Sequence, residues 1–340
     1  MPDQHPEAAV PILKKVVGPP YGTFTIDPKV VQRIVSKLSS KGLKAWTKYL
    51  QHLALTGATD DDDTRPDGDD QQKILNTRRI WAYDQLLNIA RTPSFAKEEQ
   101  AMSGLLEFFA VVGWFDVRKS GKGARSYVAD PALTASQREE ARTRFYSVVH
   151  ALLSADPSWL SRSLALLDNL AEDKKHFTLT QPLNEDTATG RKACKQLAAQ
   201  LADSNERSEA LRTLVNGVLL LSYDDDDDMP ETLEQTQDTM KVLVPSLAQG
   251  SANGNADDDA EEGEAPEPAT VLVDLLLQLL RRPSALVKTF SQTVFGGFVS
   301  ELGEEAVELL LEVCLHLSPF ALLSLTRLCK ATSTSADSID

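Results

Sequence analysis

The stretch DLLLQLLRRPSALVKTF, Asp274 to Phe290, decides the fold. A leucine run stops at two arginines and a Pro-Ser pair, and an apolar pattern resumes at once. Nearly the same phrase, YDQLLNIARTPSFAKEEQ, stands at Tyr83 to Gln100. Shifted by 190 residues, Asp84, Leu86, Leu87, Arg91, Pro93 and Ser94 meet Asp274, Leu276, Leu277, Arg281, Pro283 and Ser284, and Ile89 meets Leu279. Proline is excluded from a helix interior but welcome in a first turn. The phrase therefore predicts one helix ending near the arginine and a second starting at Pro-Ser. Pro283 is expected in that first turn, with Leu276, Leu277, Leu279 and Leu280 supplying buried contacts. Such a hairpin cannot bury both faces alone, and stacking on neighbours builds an α-solenoid.

Working outward, the same period recurs. Asp27 reads as an N-cap with Pro28 at the first helical position, followed by VVQRIVSKL. Gly42 is expected to start a second helix, LKAWTKYLQHLAL, which Gly57 ends. A long amphipathic segment follows, QQKILNTRRIWAYDQLLNIAR. Further helices are expected at 95–112, 134–155, 157–171, 187–202, 206–223, 230–247, 270–281, 284–299, 303–317 and 319–330. The fold class is all-α, an α-solenoid of HEAT- or armadillo-like hairpins with acidic loops. The organisation is an irregular segment 1–26, a helical-repeat region 27–248, an acidic low-complexity linker 249–268, a second helical-repeat region 269–331 and a disordered tail 332–340.

Composition agrees. Apolar residues make up 42% of the 340, aromatics only 6%, and leucine dominates, a bias toward helix. No apolar stretch is long enough to span a membrane. The start, MPDQHPEAAVPIL, lacks a charged-then-apolar signal pattern, so secretion is not expected. Three scattered cysteines, Cys194, Cys314 and Cys329, read as reduced thiols of an intracellular protein. The net charge of −15 sits in three runs, 60–70, 224–228 and 257–267. They hold nineteen acids against Arg65 alone and leave the rest of the chain near +3. Such runs are solvated loops; contact with histones or other basic proteins is the sharper alternative.

Catalytic signals are absent. His5, His52, His150, His176 and His316 are far apart and make no metal-ligand spacing. No phosphate-cradling glycine loop or nucleophile elbow is present, and Gly296-Gly297 reads as close helix packing. The run SYDDDDDMP at 222–230 ends a leucine-rich helix and lacks the rigid placement a two-metal site needs. One basic cluster stands out: FDVRKSGKGAR sets Arg118, Lys119, Lys122 and Arg125 in a Gly/Ser-rich loop, able to neutralise phosphates without reading bases. Arg78 and Arg79 either join it or face solvent.

Three phrases, NTRRIWAYDQLLNIAR at 76–91, LLEFFAVVGWFDVRK at 105–119 and EPATVLVDLLLQLLRRPSALVKTFSQTVFGGF at 267–298, together resemble the DNA polymerase phi family, also known as the Myb-binding protein 1a family. The acidic stretch before the third phrase, the PPYG turn near the start and the order of the pieces extend the resemblance over roughly 12–315. The resemblance implies a helical-repeat protein of the nucleus and nucleolus, acting in rRNA gene transcription regulation and ribosome biogenesis. It implies partners among transcription or ribosome-assembly proteins and weak contact with rDNA or rRNA. No membrane, small-molecule substrate, metal or cofactor is expected, and no catalytic residue; the polymerase in the family's name has no motif here. Sequence-tolerant DNA or RNA binding is the second reading, and template-directed DNA polymerisation the third. Family members are much longer and carry a basic tail, so a chain ending at ATSTSADSID resembles a central fragment.

Overall fold

The computed structural model describes residues 11, 13–14, 28–58, 69–92, 95, 98–118, 127–201, 205–224, 226–248, 268–303 and 306–307. The expected N-cap Asp27, the linker 249–268 (apart from Pro268, which opens a helix), the helices beyond 307 and the tail lie outside them. Eleven α-helices run through the described residues: α1 (Pro28–Val35), α2 (Ser40–Thr56), α3 (Asp69–Ala90), α4 (Glu99–Trp114), α5 (Ala135–Leu153), α6 (Ser158–Glu172), α7 (Glu185–Ala198), α8 (Glu206–Leu221), α9 (Met229–Ala248), α10 (Pro268–Leu280) and α11 (Ala285–Phe298). Two short strands, β1 (Phe115–Val117) and β2 (Phe177–Leu179), interrupt the series. The chain divides into two compact units, 1–183 and 184–340. No helix among the described residues is long and apolar enough to cross a membrane.

The helix starts follow local chemistry. Ser39, Thr134, Asn184, Asn205 and Ser284 sit at N-caps in extended conformation, and each side chain accepts from an amide of the first turn, satisfying a donor the helix cannot. Ser39 moves the start of α2 two residues ahead of the expected Gly42. At the other end of α2, Gly57 adopts φ 67° and its amide donates to the Leu53 carbonyl at 2.7 Å, the left-handed stop that glycine permits.

The repeated phrase ends both helices alike. Thr92 N donates to Ile89 O at 2.9 Å, and the equivalent Arg282 N donates to Leu279 O at 3.1 Å. Leu86 with Leu276, and Ile89 with Leu279, are buried in both copies. Two expectations fail. Pro283 stands outside the second helix, because the Ser284 hydroxyl is needed one position later, accepting from Val287 N at 3.4 Å as the N-cap. Leu280 is 44% exposed and Leu277 half-buried, since a single stripe of the helix faces inward. Ala90, the residue equivalent to Leu280, is buried.

In the first unit α2 packs on α3, α4 on α5, and α3 on α5. Aromatic side chains join these layers: Tyr83 meets Phe109 edge-on at 5.9 Å, and Trp114 meets Phe145 at 5.1 Å. Beneath them lies Arg79, fully buried, which corrects the expectation of a surface residue. Its Nη2 donates to the carbonyls of Leu55 (2.7 Å) and Pro131, and its Nη1 to Gln137 Oε1 (3.2 Å). Arg78 Nη1 donates to Gly57 O at 3.3 Å. Both arginines thus close the C-terminus of α2, where carbonyls lack helical partners.

In the second unit α7 packs on α9, α8 on α11, α9 on α10, and α10 on α11. The α8–α11 contact is tight. A Cβ added at Gly297 would lie 2.7 Å from Ala210 Cβ, and one at Gly217 2.9 Å from the Phe290 ring, whereas Gly296 faces open space. Ala210 and Gly217 are seven residues apart, as are Phe290 and Gly297, so the helices run antiparallel with one close approach every second turn. The expected close-packing role belongs to Gly297 and not to Gly296.

Gly296→Ala should therefore raise stability by up to about 1 kcal/mol, the helix-propensity gain of alanine. Gly297→Val should lower it by about 1–3 kcal/mol through overpacking. Chemical denaturation of the two variants checks the pair, and the same sign for both would refute the packing described.

Candidate functional site

The basic cluster leaves the fold from a two-stranded ribbon. Phe115 ends α4 in extended conformation and begins β1, which pairs antiparallel with β2 in the register Phe115–Leu179, Asp116–Thr178 and Val117–Phe177. Phe115 and Phe177 are buried and meet edge-on at 6.2 Å. The ladder extends at both ends: Arg118 N donates to His176 O at 2.9 Å, and Thr180 N to Trp114 O at 2.8 Å. Arg138 on α5 braces the corner. Its guanidinium donates to Phe115 O at 2.9 Å, to Val112 O at 3.3 Å and to Asp116 Oδ1 at 2.6 Å.

Of the four expected cations, Arg118 is described and is exposed; Lys119, Lys122 and Arg125 lie outside the described residues. Arg118 Nε donates to Thr178 Oγ1 at 3.1 Å, which lays the side chain across β2. The far end of the segment is anchored as well. Tyr127 OH donates to Glu107 Oε1 on α4 at 3.1 Å, and burial together with that carboxylate pushes the phenol well above its ordinary range.

The ribbon adds two cations that sequence reading missed. Lys174 and Lys175, both exposed, occupy the turn that enters β2. The hydrogen bond from Arg118 N to His176 O sets this turn beside Arg118. His176 Nδ1 lies 2.8 Å from Asp173 Oδ2, and this contact is the main cause holding the Asp173 carboxyl below its usual range. The run DKKH at 173–176 carries the signal, but only the pairing of β1 with β2 brings it to Arg118, far away in sequence. Three cations, Arg118, Lys174 and Lys175, then meet at one end of the ribbon, a geometry suited to phosphate oxygens or carboxylates.

Elsewhere the acidic run 224–228 makes an ion pair, where Arg282 Nη1 meets Asp226 Oδ2 at 2.6 Å. Among the described residues no group of three or more His, Cys, Asp or Glu is placed to hold a metal ion. Cys194 is fully buried against the Leu233 carbonyl, and burial pushes its thiol up to about 12.

Helices capped by polar side chains and packed on one another within each unit, with one short two-stranded ribbon among the described residues, define a mostly helical protein. The chain belongs to the DNA polymerase phi family, whose model matches residues 2–316. It is 23% identical over 260 residues to the rDNA transcriptional regulator pol5 of Schizosaccharomyces pombe, covering 71% of this chain and 25% of that one. It is 22% identical over 250 residues to Myb-binding protein 1A of Rattus norvegicus, covering 69% of this chain and 18% of that one. The chain thus spans a quarter or less of the length of these relatives. No solved structure matches.

Removing Arg138 should loosen the ribbon, because its loss leaves the Phe115 and Val112 carbonyls without this donor. Arg138→Ala should cost about 1–3 kcal/mol, whereas Arg118→Ala should stay within about 0.5 kcal/mol, as exposed substitutions do. Thermal denaturation of the two variants checks the difference; equal effects would show that Arg138 does not brace the ribbon.

Proposed function

We propose that this chain is part of a helical-repeat scaffold, α-solenoid in character, that regulates rRNA gene transcription and supports ribosome biogenesis in the nucleolus by holding protein partners. The observation that carries this reading is the family match over residues 2–316, joined to a relative named for rDNA transcriptional regulation. The name of the rat relative, a Myb-binding protein, supports protein partners. Packing between sequence neighbours, α2 on α3, α4 on α5 and α10 on α11, supports a stacked-hairpin architecture. The reading is non-enzymatic: the two relatives are named as a regulator and a binding protein.

Depleting the protein from cells and restoring it tests this reading. Nascent pre-rRNA labelling should fall on depletion and recover with the full chain, and the protein should be recovered on rDNA chromatin through protein-dependent crosslinks. Unchanged pre-rRNA synthesis, or magnesium-dependent nucleotide incorporation by the purified protein, would overturn it.

The meeting of Arg118, Lys174 and Lys175 at one ribbon edge favours a second reading, weak and sequence-tolerant nucleic-acid contact. Binding there is electrostatic, with a dissociation constant of roughly 10⁻⁴–10⁻⁶ M and a steep fall with salt. Fluorescence anisotropy with random single-stranded and duplex oligonucleotides should show that fall, and alanine at Arg118, Lys119, Lys122 and Arg125 should weaken it further. Nanomolar, salt-resistant binding that survives those substitutions would place recognition elsewhere.

A further inference from the structure

A groove in the first unit, distinct from the basic ribbon, has the chemistry of a docking site. It encloses about 330 Å³ between α2 and α4, with Lys44, Thr47, Lys48 and Gln51 on one wall and Gln100, Ala101 and Gly104 on the other. Phe95, Leu105 and Tyr127 complete its lining. Phe95 and Leu105 are buried and back the groove from below, giving it an apolar bottom.

The wall formed by α2 is basic. Lys41, Lys44 and Lys48 are exposed and stand three and four residues apart, so they line one face of the helix. Lys44 Nζ meets Glu98 Oε2 at 3.1 Å. Ser40 Oγ donates to the other oxygen of the same carboxylate, and the two partners hold Glu98 below the usual carboxylate range. This clip ties the start of α2 to the start of α4 and closes one end of the groove. Lys48, one turn on, has no carboxylate partner among the described residues. On the opposite wall Gly104 exposes bare backbone, since nothing lies within 4 Å of where its Cβ would stand.

We infer that this groove docks a short acidic, amphipathic helix of a partner protein. Its apolar face would enter over Ala101, Gly104 and Leu105, and its carboxylates would meet Lys48 and the lysine face of α2. Charge complementarity decides the occupant: a cationic wall over an apolar floor fits carboxylates set one turn apart beside leucine-type side chains. A sugar-phosphate chain offers no apolar face for that floor. The inference rests on the partner-mediated reading above and gives that partner its chemistry.

The probe is a fluorescein-labelled, capped peptide helix with glutamates along one face and leucines along the other, titrated against the full chain. Its controls are the same peptide with glutamine for glutamate and a single-stranded RNA oligonucleotide. The glutamate peptide should bind measurably more tightly than the glutamine peptide. Lys48→Glu should weaken it by at least about tenfold, since like charges across an interface cost several kcal/mol. Gly104→Leu should abolish it by filling the groove, while its melting temperature stays equal to or above that of the wild type, because a side chain there meets open space. Equal binding of both peptides, binding unchanged by either substitution, or RNA that displaces the peptide and itself loses affinity in Gly104→Leu, would each overturn the inference. Failure of the peptide test with pre-rRNA synthesis still dependent on the protein would remove this groove and leave the scaffold reading standing.

Discussion

A fully buried guanidinium, hydrogen-bonded to carbonyl and amide oxygens, holds the first unit together. Burying such a charge costs several kcal/mol unless its donors are satisfied. Arg79 meets that cost in part, through its two Nη groups: Leu55 at the end of α2, Pro131 in the turn ahead of α5, and the amide oxygen of Gln137 inside α5 accept from them, while Nε is buried without a hydrogen-bond partner among the described residues. The same Gln137 completes the capping box of Thr134 and donates from Nε2 to Asn76 Oδ1 on α3 at 2.6 Å. Leu55 O also accepts from Asp130 N at 3.2 Å. Burial lowers the arginine's pKa, and the nearby Tyr83 and Asp130 act against that. Three segments therefore close around one side chain, and the helix end that α2 presents is the surface on which the others are assembled.

The second unit uses the same device. Arg191 on α7 is buried, donates to Leu219 O at 2.5 Å and to the Ser222 hydroxyl, and lies over the Tyr223 ring at 4.3 Å. It closes the C-terminus of α8 as Arg79 closes that of α2. The common problem is the last turn of a helix whose carbonyls are turned into protein instead of water. An arginine from the adjacent helix solves it with several donors in one rigid fork. Small residues do the remaining work of close approach, as at Gly190 against Leu233 and Gly297 against Ala210.

The helices and the repeated phrase were legible because they rest on local chemistry: leucine periodicity, Pro-Ser breaks, and Ser, Thr and Asn caps. The echo of 83–94 in 273–284 survives as equivalent helix ends and equivalent buried positions. What escaped was set by tertiary partners. Strands of three residues are too short for a period of two to register, so β1 and β2 both passed as connections between helices. Arg79 reads in sequence like any charged residue of a long amphipathic helix; its burial follows from how α2 ends and α5 begins. Leu280 reads as core because Leu279 does, yet it falls outside the inward stripe formed by Leu272, Val273, Leu275, Leu276 and Leu279. At the basic cluster, Arg118 was legible by composition, whereas Lys174 and Lys175 join it only through strand pairing.

The closure of α2 by Gly57, Arg78 and Arg79 has a consequence for the acidic run that follows it. The α2–α3 hairpin is fixed from within, by a left-handed cap and two guanidinium-to-carbonyl contacts. Its register does not depend on the length of the connection. Doubling a flexible connection adds only about 0.6 kcal/mol of closure entropy. A change in the number of aspartates at 60–63 would leave these closing contacts in place, since none of them is made by that run.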